Sequence, residues 1–175
     1  GIDASGIVTL DSDGAVTQTA VINGTTLTLL GTAGASGTFS LGGFNNAFTT
    51  LDANNDTLTS VIFRDDDGFV VAGIDASGIV TLDSSGAVTQ SDLINATTLI
   101  LLGTTAATGT FDLGTSVNAV TTLVANDSTL TSVIFREDSG FDIAGIDASG
   151  IVTIDSSGAV TQSGLINATT LTLLG

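Results

Sequence analysis

Carboxylates are the residues of this chain whose type and spacing could do chemistry. Residues 65–67 are three consecutive aspartates, and residues 137–139, which lie 72 positions later, read Glu-Asp-Ser. Two carboxyl groups a few ångströms apart can act as general acid and general base, as in glycoside hydrolysis. A catalytic site is normally unique, whereas these clusters recur in each copy of a repeat and change composition. We therefore interpret them as solvated acids in turns, and we expect no catalytic residue.

The same carboxylates could bind Ca²⁺, which takes about six to eight oxygen ligands. The chain has neither EF-hand spacing nor the GGxGxDxUx motif of calcium-binding β-rolls. If calcium is a cofactor, the loop Arg64–Gly68 is the best place for it. Arg64 argues against calcium there, because its guanidinium already neutralises part of the charge of Asp65–Asp67. We predict a surface ion pair at this loop, repeated around Arg136, and no metal-binding or cofactor-binding residue.

Asparagine provides a second candidate chemistry, because five Asn-x-Ser/Thr sequons are present. They begin at Asn23, Asn55, Asn95, Asn126 and Asn167. Since Ser and Thr are abundant, part of these matches arises by chance. N-glycosylation is one hypothesis; the alternative is that Asn23, Asn95 and Asn167 turn the chain and satisfy backbone groups. The chain contains no His and no Cys, which excludes Ser/His/Asp and Cys/His catalytic arrangements.

Composition narrows the classes of partner. The 175 residues contain 18 acidic and two basic side chains, for a net charge of −16. Phosphate binding needs clustered cations, so we expect no nucleic-acid partner and no binding to an anionic membrane. No apolar run is long enough for a transmembrane helix, so we expect no membrane insertion. The absence of cysteine excludes disulfides and thiolate metal sites.

One repeated stretch organises the chain. GIDASGIVTLDSDGAVTQ at residues 1–18 returns with few changes at 73–90 and 145–162, a constant spacing of 72. A fixed period of this size is typical of stacked repeat architectures. We divide the chain into repeats 1–72, 73–144 and a partial repeat 145–175, and we expect one continuous solenoid. We interpret the chain as a fragment of a longer array.

Alternation within each repeat predicts short strands. Val70 is replaced by Asp142 in the next copy, while its neighbours Phe69 and Val71 stay apolar. A position that exchanges Val for Asp faces water, and period-two geometry then puts its neighbours in the core. In the first repeat this pattern predicts seven strands. They span 6–10, 15–18, 25–30, 37–41, 47–51, 57–63 and 69–72.

Seven strands in 72 residues fit either three coils of about 24 residues each or a small antiparallel β-sandwich repeated as tandem beads. NATTL at 95–99 is echoed by NAVTTL at 118–123, which favours coils. No Pro- or Gly-rich linker separates the repeats, which argues against beads. We therefore predict an all-β parallel β-helix (a β-solenoid) with about seven coils, and we choose the right-handed form because the hexapeptide period of left-handed β-helices is not seen. Asp3, Asp75 and Asp147 would then lie in one line, three coils or about 14 Å apart.

The sequence also resembles a known family. GAVTQTAVINGTTLTLLG and its two variants at 86–103 and 158–175 resemble shaft repeats of filamentous-haemagglutinin-like exoproteins. These proteins are secreted by the two-partner pathway of Gram-negative bacteria. The resemblance covers essentially the whole chain and implies a right-handed parallel β-helix without catalytic residues. It also implies an extracellular or cell-surface location on a Gram-negative bacterium, in a fibre used for adhesion or biofilm.

These observations predict a non-enzymatic structural segment of a secreted or surface-attached bacterial fibre. Its expected partners are adjacent repeats of the same chain, other copies of the chain in a fibre, and surface glycans. The alternative is a glycan- or ice-binding module that uses its outer β-face. Regular Thr-x-Thr pairs on consecutive coils would support that alternative, but the sequence shows only TLT and scattered TT pairs. A carbohydrate-active β-helix enzyme is a third hypothesis.

Overall fold

The computed structural model describes residues 1–31, 37–104 and 108–175, and for residues 56 and 57 it describes the backbone alone. Within this part of the chain the regular structure is entirely β-strand. The strands are β1 (Ile2–Asp3), β2 (Ile7–Asp11), β3 (Ala15–Thr17), β4 (Ile22–Asn23), β5 (Thr26–Leu30), β6 (Gly37–Leu41), β7 (Thr50–Arg64), β8 (Val70–Ala76), β9 (Ile79–Asp83), β10 (Ala87–Gln90), β11 (Ile94–Leu102), β12 (Gly109–Glu137), β13 (Gly140–Ala148), β14 (Ile151–Asp155), β15 (Ala159–Gln162), β16 (Ile166–Asn167) and β17 (Thr170–Leu174).

The strands pair in parallel, and their long segments stack in two columns, which we call the first face and the second face; short corner segments pair in further parallel ladders. The first face begins with the paired residues Val8, Leu27, Leu51 and Val71. The second face runs through Val16, Phe39, Val61, Val80, Leu99, Leu123, Ile143 and Gln162. Each turn of chain contributes one strand to each face, so the fold is a β-solenoid, as the sequence predicts.

The solenoid has about nine turns, more than the seven expected from the sequence. Paired residues in successive turns are 19 residues apart between Val80 and Leu99, and 24 apart between Leu99 and Leu123. A turn needs only two strands of about five residues each and the corners that join them. Most turns therefore take about 20 residues. The echo between 95–99 and 118–123 marks one of the long turns, and the structure pairs those segments in register.

Because the turns are short, one 72-residue repeat makes about three and a half turns instead of three. Val8 lies on the first face, whereas its equivalent Val80 lies in the second-face column. Val152, one repeat further, pairs with Val133 and Leu171 and lies on the first face again. Equivalent residues therefore alternate between opposite faces. The expectation that Asp3, Asp75 and Asp147 form one line is wrong for this reason.

The core is the space between the two faces, and it is filled by the alternate residues that the sequence pattern indicates. Leu27, Leu29, Phe39 and Leu41 have no exposed surface. Phenylalanine rings join the two faces edge to face, with centroids 5.0 Å apart for Phe63–Phe69 and 5.2 Å for Phe135–Phe141. Positions that exchange an apolar residue for a charged one between copies, such as Val70 and Asp142, face outward.

Strand boundaries agree with the sequence pattern for four of the seven strands predicted in the first repeat, of which 37–41 is matched by Gly37–Leu41. The predicted strands 47–51 and 57–63 fall largely within the single strand Thr50–Arg64, which continues around a corner, and 69–72 corresponds to the longer strand Val70–Ala76. The strands Ile7–Asp11, Ala15–Thr17 and Thr26–Leu30 are each within about one residue of their predicted bounds. The short corner strands Ile2–Asp3 and Ile22–Asn23, which pair with each other, were not predicted. They contain only two residues each, too few for alternation to be recognised.

A pair of substitutions in one strand tests this division into inward and outward residues. Leu99 is completely buried, while its neighbour Ile100 faces outward and is half-buried. Leu99→Ala should lower the free energy of unfolding by about 2–5 kcal/mol, because it leaves a cavity. Ile100→Ala should lower it by less than about 1 kcal/mol. Equal effects of the two substitutions in urea denaturation would contradict the assigned register.

Candidate functional site at the acidic corners

The first acidic corner, residues 64–68, follows the second-face part of β7. Arg64 donates from Nε to Asp66 Oδ1 and from Nη2 to Asp66 Oδ2, both at 2.9 Å. This fork geometry is the strong form of an arginine–carboxylate contact. Asp83 on the next turn is a second partner, 3.9 Å from Arg64 Nε. The predicted ion pair is therefore confirmed, and Asp66 is its main acid.

Asp65 points the other way, into the core, and is not the solvated acid that the sequence analysis expected. It has no exposed surface. Its carboxylate accepts hydrogen bonds from the backbone N–H of Phe48 at 2.6 Å and of Asp67 at 3.1 Å. Burial raises the pKa of Asp65 to about 6, against the opposing effect of those two hydrogen bonds. Gly68, at φ 88°, then turns the chain out of the corner.

Asp83 is the second acid that this corner perturbs. Partial burial raises its pKa, and the nearby charge of Arg64 acts in the opposite direction. Its Oδ1 atom is buried without a hydrogen-bond partner among the described residues. The first corner thus couples one basic side chain to carboxylates on two successive turns.

The second acidic corner, residues 136–140, repeats this arrangement on the first face with looser contacts. Arg136 lies 3.5 Å from Asp138 and 3.7 Å from Asp155. Glu137 takes the place of Asp65 and is also buried. Its longer side chain folds back to accept hydrogen bonds from the backbone N–H of Ser139, at 3.1 Å, and of Gly140, at 2.5 Å. The buried acid of each corner therefore holds backbone groups.

The carboxylates of each corner point in different directions. In each corner one acid points into the core and one pairs with arginine, so their oxygens do not converge on a common point. Among the residues described, no group of three or more His, Cys, Asp or Glu side chains could hold a metal ion. Calcium at the loop Arg64–Gly68 would need six to eight oxygens around one centre, which the described side chains do not provide.

A buried amide network is the feature that the sequence analysis missed. Asn118 Oδ1 accepts hydrogen bonds from Ile94 N at 2.9 Å and from Gln90 Nε2 at 3.0 Å. Its Nδ2 donates to the carbonyl groups of Leu113, at 2.9 Å, and Arg136, at 3.0 Å. One side chain thus satisfies groups on three successive turns, which a buried amide must do.

The same network exists one repeat earlier, around Asn46. Its Oδ1 accepts from Ile22 N at 3.0 Å and from Gln18 Nε2 at 2.9 Å. The recurrence of Gln18 as Gln90, and of Asn46 as Asn118, was the sequence signal for it. Both glutamines occupy positions that alternation assigns to the core, where an unpaired amide would be costly.

The sequon asparagines are placed differently from expectation. Asn95 Nδ2 donates to Asp75 Oδ1 at 2.7 Å, and Asn167 Nδ2 donates to Asp147 Oδ1 at 2.9 Å. Both asparagines are exposed, Asn95 near the start of β11 and Asn167 at the end of β16, and each donates to an aspartate side chain where a backbone group was expected. The Oδ1 atom of Asn23 is buried without a hydrogen-bond partner among the described residues. Modification of the sequon asparagines by glycans stays a prediction.

An open groove of about 300 Å³ crosses the turns beside Asn95. Thr97, Thr121 and Ser139 supply hydroxyl groups along it, and alanines form much of its floor. Its lining contains no aromatic side chain on which a sugar ring could stack. The groove therefore offers hydrogen bonds to a hydroxyl-rich ligand without an apolar platform.

Comparisons with family models, with curated proteins and with solved structures found no match to this chain. No helix long and apolar enough to cross a membrane occurs among the described residues. The candidate sites must therefore be judged on their own geometry. That geometry shows corners that use their charged and amide groups to hold neighbouring turns.

The buried acid predicts how stability depends on pH. The pKa of Asp65 in the folded chain, about 6, is above its ordinary value of 3.8. Between these values the folded chain binds a proton that the unfolded chain does not, so stability should rise as the pH falls from 7 to 4. Asp65→Asn should remove up to about 3 kcal/mol of this gain. Asp92→Asn, which deletes an exposed acid, should keep the wild-type slope in urea denaturation. A wild-type chain that loses stability over this range would contradict the assignment.

Deleting the buried amide should be costly. Asn118→Ala removes the acceptor of Ile94 N and the amide donor to the carbonyl groups of Leu113 and Arg136, so we expect a loss of about 2–4 kcal/mol. Asn95→Ala is the matched control, because it removes an exposed amide of the same type and should cost less than about 1 kcal/mol. Thermal and urea denaturation measure both. Similar losses would show that the network does not stabilise the corner.

Proposed function

We propose that this chain is a non-enzymatic structural segment of a long extracellular fibre, which holds a distal part of the fibre away from a bacterial surface. The observation that carries the proposal is that the polar groups of the corners contact other turns of the same chain. Asn118 reaches Arg136 O, and Asp65 reaches Phe48 N. Side chains that in an enzyme would face a substrate are used here to join turns.

The continuity of the stack supports the same proposal. The second face pairs without a break from Val16 to Gln162, across both boundaries between repeats. A stack of this kind can be extended by adding repeats, because each turn contacts only its neighbours. The resemblance to filamentous-haemagglutinin-like exoproteins supports an extracellular or cell-surface location, a Gram-negative source and a role in adhesion or biofilm.

A glycan-binding module is the second candidate, and the groove beside Asn95 is the observation in its favour. Ice binding is less well supported. Thr26 and Thr28 form an outward Thr-x-Thr pair, but the adjacent turns present Ile7 with Thr9 and Thr50 with Asp52. A surface that matches a crystal lattice would repeat the same pair on successive turns.

Changing the number of repeats tests the shaft proposal. Inserting one further copy of residues 73–144 should lengthen the rod by about 17 Å, because three and a half turns stack at about 4.8 Å each. Small-angle X-ray scattering measures this increase. A Gly/Ser segment of the same length is the control and should add no rod of fixed length. An inserted copy that behaves as a separate bead would overturn the shaft proposal.

The location can be tested on cells. Antibodies against the chain should label the surface of intact cells that produce it, and mild proteolysis of those cells should remove the label. Label that appears only after the cells are opened would contradict the proposed extracellular fibre.

A further inference from the structure

We propose that the outer surface of the second face is a contact surface for a second copy of this chain, so that two rods associate side by side. The surface consists of the outward residues in the two central columns of six successive turns. They are Ala15, Thr17, Thr38, Ser40, Ser60, Ile62, Ile79, Thr81, Thr98, Ile100, Thr122 and Val124. We call this set the neutral strip.

The absence of charge from the neutral strip is the first observation behind the proposal. The chain carries 18 acidic side chains, yet none of these twelve positions is acidic or basic. On the seventh turn the strip ends at Asp142, which pairs with Thr122 in the sheet. At its edge Arg64 and Asp83 lie 3.9 Å apart as an ion pair. Charges therefore border the strip without entering it.

The first face differs in this respect. Its equivalent central columns contain Asp52, which pairs with Thr28, and Asp112, which pairs with Thr89. Two copies that met through this face would bring like charges together in a partly desolvated contact, which is unfavourable. Two chains of net charge −16 repel each other, so they can approach closely only where both surfaces are uncharged. The neutral strip meets this requirement.

The apolar side chains of the strip give the contact its driving force. Ile79 is 48% exposed, and the outward residues Ile62, Ile100 and Val124 are half-buried by their neighbours in the ladder. Thr81 is only 9% exposed, because Ile62 and Ile100 flank it on the adjacent turns. The result is a flat surface of Ile, Val, Thr and Ser. Two such surfaces can pack face to face as stacked β-sheets do, about 10 Å apart.

The size of the strip sets the strength of the contact. Six strands spaced by about 4.8 Å and about 15 Å wide give a footprint of roughly 400 Å² on each rod. Two footprints together bury roughly 800 Å², which is below the ~1,200–2,000 Å² of stable interfaces. We therefore infer a weak dimer for this chain, one that strengthens when salt screens the repulsion between the rods. Through this surface a rod could associate with a second copy of itself, but the proposed shaft function does not depend on that association.

Because equivalent residues of successive repeats lie on opposite faces, the chain offers a matched pair of positions for substitution. Ile79 and Ile151 are equivalent residues of the repeat with similar exposure, 48% and 53%, but only Ile79 lies in the neutral strip. Sedimentation of the whole chain from about 10 μM to 1 mM, in low and high salt, measures the association constant. We expect it to rise with salt for the wild type and to fall at least about tenfold for Ile79→Asp, whereas Ile151→Asp should stay within about twofold of wild type. Thr98→Glu repeats the test if Ile79→Asp does not fold.

Three outcomes would overturn the proposal. The proposal fails if the wild-type chain stays monomeric at every protein and salt concentration. It also fails if Ile79→Asp and Ile151→Asp lower the association constant equally. A monomer that instead adsorbs to ice or to an insoluble polysaccharide, and loses that adsorption in Ile79→Asp, would assign the strip to a solid surface. A monomeric rod that still lengthens with added repeats leaves the shaft proposal standing, so the two proposals fail separately.

Discussion

The structure depends on one constraint: every turn must place a strand on each of two faces, in register with the turn before it. Parallel pairing satisfies the backbone, and it also fixes which side chains point inward. The turns meet this constraint although they differ in length, from 19 residues between Val80 and Leu99 to 24 between Leu99 and Leu123. The extra residues are accommodated at corners, while the strands keep their register. Corners are therefore the places where the chain needs specific side chains.

Those corner side chains are buried and polar, and equivalent ones recur at the 72-residue period of the repeat. Asn118 and Asn46 hold neighbouring turns through their amides, and Asp65 and Glu137 hold backbone N–H groups through their carboxylates. A buried polar group without partners costs about 1–3 kcal/mol, so each must be fully used. The carboxylate of Asp65 is not fully compensated by its two hydrogen bonds, and its pKa is therefore raised. The chain thus specifies its corners at some expense of stability near neutral pH.

The sequence predicted the long strands well, because their alternation is repeated in every copy. Val70 and Asp142 alone were enough to orient one strand. It predicted the number of turns less well, since seven strands per repeat were divided among three coils. The structure uses two long strands per turn, and seven is odd, so each repeat ends on the face opposite to the one where it began. A single repeat shows the seven strands but not that each turn uses two of them, which becomes visible only when Val80 is found paired with Val61. The inward direction of Asp65 was also hidden, because a run of three aspartates indicates a solvated turn.

The same parity determines what the rod can present to a partner. If all copies of the repeat were identical, each outward residue would lie on the first face in one copy and on the second face in the next. Over two repeats the two faces would then carry the same outward residues. A difference between the faces must therefore come from substitutions between copies. Asp52 on the first face becomes Val124 on the second, and Ser40 on the second becomes Asp112 on the first. Both exchanges put the charge on the first face, whereas the exchange of Val70 on the first face for Asp142 on the second puts a charge where the neutral strip ends. The residues that vary between copies, which a repeat alignment would treat as tolerated changes, are thus the ones that keep the second face neutral over the six turns of the strip.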